Sequence, residues 1–200
     1  MSFLKAPGPV ADGLKIGILG GSFNPAHGGH VYLAETALTR LKLDYVWWLV
    51  SPGNPLKDPA DMAPFGERLA GARLIARHPR FVVTGLERHL HTVFTADTLE
   101  ILTRRFPRVR FVWLMGSDNL EQFDRWQRWR DIVKTVAVAV AIRPGSVLAP
   151  LKAKAMAAYA RARTERLKPP PAIVLIDGRR NEESATAIRA LGKPYRYMIA

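Results

Sequence analysis

Short runs of β-branched and aromatic residues, each giving way to an amphipathic stretch, constrain this chain more than any other feature of it. The runs are Lys15–Leu19, Tyr45–Val50, Arg80–Thr84, Val109–Met115, Thr135–Ile142 and Ala172–Ile176. Each is about strand length and apolar at consecutive rather than alternate positions, the pattern of a strand covered on both faces. Between them Leu33, Ala34, Ala37, Leu38 and Leu41 recur at helical spacing, as do Leu69, Ala72 and Ala76. Thr98–Phe106, Asn119–Val133 and Leu151–Leu167 are the remaining predicted helices. This alternation predicts the α/β class: a Rossmann-like single domain with a mainly parallel sheet flanked by helices on both faces. No linker or internal repeat divides it, so residues 15–200 read as one domain behind a flexible lead-in, residues 1–14.

Composition narrows what such a domain can do. With 48% apolar and 24% charged residues, the chain is not disordered, collagen-like or a coiled coil. It contains no cysteine, which excludes disulfides, zinc–cysteine sites, iron–sulfur clusters and thiol catalysis. No apolar run approaches the roughly 18 residues that span a bilayer. The start, MSFLKAPGPVADG, lacks the apolar stretch of a secretory signal. A cytoplasmic protein with no membrane partner is expected. The 30 Lys+Arg against 17 Asp+Glu give a net charge of +13. That excess suits nucleotides, nucleic acid or simply a solvated basic surface, and the basic stretch Lys152–Lys168 reads as a solvated face.

In parallel α/β sheets ligands bind beyond the carboxyl ends of the strands. Four segments placed there are unusual: Gly20–His30, Ser51–Lys57, Gly116–Asp118 and Glu183–Arg189. In the first, Gly20 and Gly21 permit a tight turn and close backbone approach to a ligand. His27 and His30 fall where the chain enters a helix, so both rings can project from its first turn. A helix start attracts anions, and two imidazoles there can donate to charge growing on a phosphoryl group. The same pair could instead be half a metal site, without an obvious third ligand nearby, or polar loop residues. Neither G-x-G-x-x-G nor the G-K-[ST] of a Walker loop occurs here. Gly116 and Asp118 follow a strand, where an acidic residue commonly takes ribose hydroxyls.

GGSFNPAHGGH resembles the G-G-x-F-[DN]-P-x-H-x-G-H signature of the nucleotidyltransferase superfamily. Its second motif, I-S-S-T-x-I-R, is matched by ESATAIR at Glu183–Arg189, with Glu183 and Ala185 in place of Ile and the second Ser. Within the superfamily the chain resembles the bacterial nicotinate-nucleotide adenylyltransferases. SPGNPLK is similar to their P-x-x-x-P-P-H-K loop, with Leu56 for His; TVFTADTL is similar to S-Y-T-x-D-T-L, with Phe94 for Tyr. MGSDNLEQFDRWQRW and IRPG are similar to their G-x-D-x-L…W and R-P-G segments.

The resemblance implies adenylyl transfer from ATP to nicotinate mononucleotide, giving deamido-NAD and pyrophosphate. It puts His27, His30 and Arg189 in catalysis, His30 nearest the α-phosphate. It gives ATP the loop residues Gly20, Gly21, Ser22 and Phe23, together with Gly116, Asp118, Arg143 by the adenine, and Ser184 and Thr186. Ser184 and Thr186 could be no more than N-caps of a predicted helix, and Arg189 a surface arginine. The mononucleotide falls to Asn24, Lys57, Thr95 and Trp126, Lys57 on its phosphate and the last two at the nicotinate ring. Trp126 and Trp129, three apart, could equally pack one face of a helix. Magnesium is expected on the triphosphate rather than in a protein-built cage. Preference for the amide mononucleotide, a phosphopantetheine or glycerol-phosphate sister activity, and a basic nucleic-acid binder are the competing readings. A homo-oligomer is left open.

Overall fold

The computed structural model describes residues 5–53, 62–142 and 152–177. Its strands are β1 (Lys15–Gly21), β2 (Tyr45–Val50), β3 (Phe81–Thr84), β4 (Arg110–Gly116), β5 (Ala137–Ile142), β6 (Arg163–Thr164) and β7 (Ile173–Asp177). Its helices are α1 (Gly28–Arg40), α2 (Phe65–Ile75), α3 (Leu86–Leu90), α4 (Thr95–Arg105), α5 (Ser117–Leu120), α6 (Trp129–Thr135) and α7 (Lys154–Ala158).

Continuous apolarity does what it should. In β2, Tyr45–Val50, Trp47 and Trp48 point to opposite faces and both are fully buried, each in a different core. The sheet is parallel throughout in the order β3-β2-β1-β4-β5-β7-β6. One core packs α1 and α2 on the sheet; Ala34 and Ala37 on α1 are small enough to bring that helix close. The other core takes Leu86, Leu99, Leu102, Phe123, Trp129 and Ile132 from the helices and the turn on the opposite face. Helices therefore cover both faces, and the sheet is parallel.

Two long predicted helices are not continuous. Within 119–133, α5 ends at Leu120, a 3₁₀ turn covers Phe123–Arg125, Trp126 is extended and Arg128 is left-handed (φ 55, ψ 33) before α6 begins. The break has a cause in packing. Phe123, Trp126 and Trp129 meet edge-to-face, with centroids 5.4 and 5.8 Å from Phe123, which a single straight helix does not arrange. Within 151–167, α7 gives way to a 3₁₀ turn and then to β6, whose Arg163 and Thr164 pair with Ile173 and Val174 of β7. That pairing extends the sheet by one short strand at its β7 edge. Neither β6 nor α3 is evident in the sequence.

Strands β1 to β3 run outward on one side of β1, and β4 returns to its other side. This reversal makes a crevice at the carboxyl ends of β1 and β4, where an open α/β sheet binds its ligand. The loops after β1 and β4 are two of the four segments singled out from sequence.

Candidate active site

Gly20 and Gly21 are the last two residues of β1, paired with Leu49 and Val50, not part of the turn itself. Gly20 is required there for another reason: a Cβ would collide with the ring of Trp113 on β4. The turn follows at Phe23, which has a left-handed backbone (φ 46), rare and strained for an aromatic residue. Its side chain holds it there. Phe23 is buried, stacked on Trp48 at 5.2 Å and 15°, and lies 4.9 Å from the His30 ring. The aromatic core thus reaches up through Phe23 to support the histidine.

His27 is the N-cap of α1 and His30 is its third residue. The Gly29 amide donates to His27 Nδ1 at 3.1 Å, and the His27 amide donates to His30 Nδ1 at 3.2 Å. This is a capping box built from two imidazoles, which satisfies two of the amides a helix start leaves without intrahelical partners. The bonds also set the tautomers. With Nδ1 accepting, each neutral ring carries its proton on Nε2, the nitrogen farther from the helix. The rings lie 4.0 Å apart at 49°. The pair therefore sets two imidazole rings side by side at a positive helix end, where anions are favoured.

Across the crevice, Gly116 ends β4 and Asp118 lies exposed in the first turn of α5. A Cβ at Gly116 would meet the Asp118 carboxylate, so the glycine makes room for that side chain. Thr95 opens α4, half-buried. Trp126 is half-buried, its edge against Phe123 and 6.0 Å from Trp113; Trp129 is in the core. Both tryptophans pack with the same core, Trp129 buried in it and Trp126 at its margin. Asn24 is buried and its Oδ1 accepts the Ala63 amide at 3.1 Å. Lys57, Arg143, Ser184, Thr186 and Arg189 lie outside the described residues, as do the departures at Leu56, Glu183 and Ala185. Among the described residues no group of three or more His, Asp or Glu could hold a metal ion.

Three charged residues were not singled out from sequence. Arg68 is 1% exposed on α2 and donates to the main-chain carbonyls of Ser22, Ser51, Pro52 and Ala63. Its signal was present: it lies four residues before Ala72, on the apolar stripe of the predicted helix. Glu87 is buried beside Thr98, whose hydroxyl donates to Oε1 at 3.3 Å and lies 2.8 Å from the Thr92 hydroxyl. Burial pushes the Glu87 carboxyl up to about 7, against the opposing pull of the Thr98 hydrogen bond. Arg128 donates to Asp131, Glu100 and Asp97, in that order of importance for holding its guanidinium charged. It joins the first turns of α4 and α6, the elements that carry or adjoin Thr95 and Trp126.

A family model described as cytidylyltransferase-like matches residues 18–191. A protein of Parvibaculum lavamentivorans named probable nicotinate-nucleotide adenylyltransferase is 50% identical over 190 residues, covering 92% of this chain and 94% of its own. One of the same name from Cereibacter sphaeroides is 53% identical over 184 residues, covering 90% and 99%. This chain belongs to the cytidylyltransferase-like family, among the nicotinate-nucleotide adenylyltransferases. Of solved structures, the Plasmodium falciparum nicotinic acid mononucleotide adenylyltransferase complexed with NaAD superposes with a TM-score of 0.67 at 18% identity, covering 88% of this chain and 83% of that one. At that identity it bears on the fold, and it agrees with the family in the Rossmann-like sheet.

Proposed function

We propose that this chain transfers the adenylyl group of ATP to nicotinate mononucleotide, forming deamido-NAD and pyrophosphate. The observation that carries the reading is the paired His27–His30 capping box at the β1–β4 crevice, in a chain about half identical to proteins named for this activity. An oxygen of the mononucleotide phosphate bonds to the α-phosphorus while the bond from that phosphorus to the bridging oxygen breaks. Pyrophosphate departs with the electron pair. The nucleophile is already anionic at neutral pH, so no general base is needed, and catalysis rests on in-line positioning and charge stabilisation.

His30 Nε2 donates to the α-phosphate and His27 Nε2 to the neighbouring phosphates. The main chain of Gly20 to Phe23 lines the triphosphate, and Asp118 takes ribose hydroxyls. Trp126 stacks on the nicotinate ring, with Thr95 at its carboxylate and Asn24 shaping the mononucleotide side. Lys57 holds the mononucleotide phosphate, Arg143 adjoins the adenine, and Ser184, Thr186 and Arg189 serve the β- and γ-phosphates. ATP would arrive as its magnesium complex, the ion offsetting triphosphate charge, while the described residues at the crevice would add imidazole and amide donors. No described helix is long and apolar enough to cross a membrane, and the reaction is assigned to the cytoplasm.

The deciding experiment is pyrophosphate release with ATP and Mg²⁺, comparing nicotinate with nicotinamide mononucleotide. Strong turnover with the acid alone is expected. Turnover favouring the amide would keep the chemistry and overturn the roles of Thr95 and Trp126. Silence with both would sink the reading and direct attention to the sister substrates.

A further inference from the structure

An ionised side chain withdrawn from water persists only where fixed acceptors replace its hydration. Arg68, 1% exposed, is such a group, and the acceptors it uses are informative. Its Nε donates to Ala63 O at 2.9 Å, Nη1 to Ser22 O at 2.6 Å and Ser51 O at 2.9 Å, and Nη2 to Pro52 O at 3.2 Å. These carbonyls belong to two different loops. Ser22 lies in the turn that carries His27 and His30, whereas Ser51 and Pro52 follow β2 and Ala63 precedes α2. The guanidinium therefore joins the turn after β1 to the residues that leave β2 and those that enter α2. Asn24 Oδ1, accepting the Ala63 amide at 3.1 Å, adds a second link between the same two segments. A lysine could keep the charge and not this grip, because a single ammonium lacks the planar fork that reaches several carbonyls at fixed angles.

We propose that Arg68 is a positioning residue for the transfer: it fixes the histidine turn after β1 against Ser51, Pro52 and Ala63, and so holds His27 and His30 where the α-phosphate reacts. The inference rests on the function proposed above, which assigns the ATP phosphates to those two histidines. Arg68 itself touches neither substrate. Its effect is on the placement of the histidines against the reacting phosphate, where an error near 1 Å costs on the order of 10²-fold in rate.

Arg68→Lys and Arg68→Met are compared with the unaltered chain, with kinetics read well below each variant's Tm so that every sample is folded. Expected is a kcat lowered ~10–10²-fold in Arg68→Lys, while equilibrium dialysis shows ATP alone binding within a few-fold of the unaltered chain. Methylguanidinium added to Arg68→Met should restore part of kcat. A kcat equal to the unaltered chain's in folded Arg68→Lys overturns the proposal, as does loss confined to the binding of one substrate. Should Arg68→Met fail to fold, Arg68→Lys carries the test, since it retains stem and charge. An unaltered chain that is silent with nicotinate mononucleotide overturns the functional reading itself, a result distinct from an active chain indifferent to Arg68.

Discussion

At the scale of single residues, each Nδ1 of His27 and His30 caps the helix, and the proposed function gives each Nε2 a second task, at the phosphates. The tasks separate by substitution. Asparagine is among the preferred N-cap residues, so His27→Asn should keep stability within about 0.5 kcal/mol of the unaltered chain. Turnover should nonetheless fall by ~10²-fold, as when one preorganised donor is lost. His30→Ala removes cap and donor together, and should lower turnover by ~10²–10³ and stability by about 1 kcal/mol. Urea unfolding and pyrophosphate release, measured on the same preparations, check both. Near-normal turnover in either variant would remove that histidine from the site. The spacing of the pair was legible in the sequence, because a helix start after a strand fixes where such residues sit. Their capping role was not, since imidazoles are seldom met in that position and no propensity points to them.

Among the elements, α3 and α4 enclose a buried acid. Glu87 sits under the loop leading to Thr95, bonded to Thr98, its carboxyl raised from 4.5 to about 7 chiefly by burial. The sign follows from linkage. Between those values the unfolded chain has lost this proton and the folded chain keeps it, so folding binds protons and stability declines as pH rises. The contribution is whole below pH 4.5 and gone by about pH 7. Its steepest slope is about 1.4 kcal/mol per pH unit. Glu87→Gln should remove that slope, gaining on the unaltered chain steadily through the window; denaturant midpoints taken from pH 4 to 8 test it. Parallel curves would mean the carboxyl ionises freely in the fold. Nothing in LERHLHTVFTADT marks Glu87 as buried, because helix α3 is too short to show a periodicity. Arg128 was equally silent: its partners Asp97 and Glu100 are distant in sequence and meet it only because α4 packs against α6.

For the whole molecule, the +13 charge remains outside the site's needs. A protein that wraps nucleic acid with 6–10 phosphate contacts loses ~10³–10⁵ in affinity between 50 and 200 mM salt. An enzyme handling a few phosphates at one crevice should change its KM for the mononucleotide by no more than about tenfold over that range. Added RNA or DNA should leave turnover unaltered. Steep salt dependence, or inhibition by nucleic acid at low salt, would instead assign the basic surface a polyanion. The sequence by itself determined the class of fold, the main strands β1 to β5 and β7, and the loop motif that joins β1 to α1. It could do so because a strand buried on both faces must be apolar throughout, and because a loop motif is contiguous. Only the tertiary structure decided what lies beneath that loop. The Phe23–Trp48 stack, the glycine that admits Trp113, and the Arg68 grip on Ser22, Ser51, Pro52 and Ala63 each join residues from different elements. Such contacts come into being when the sheet brings its carboxyl ends to one edge, and no local pattern in the chain encodes them.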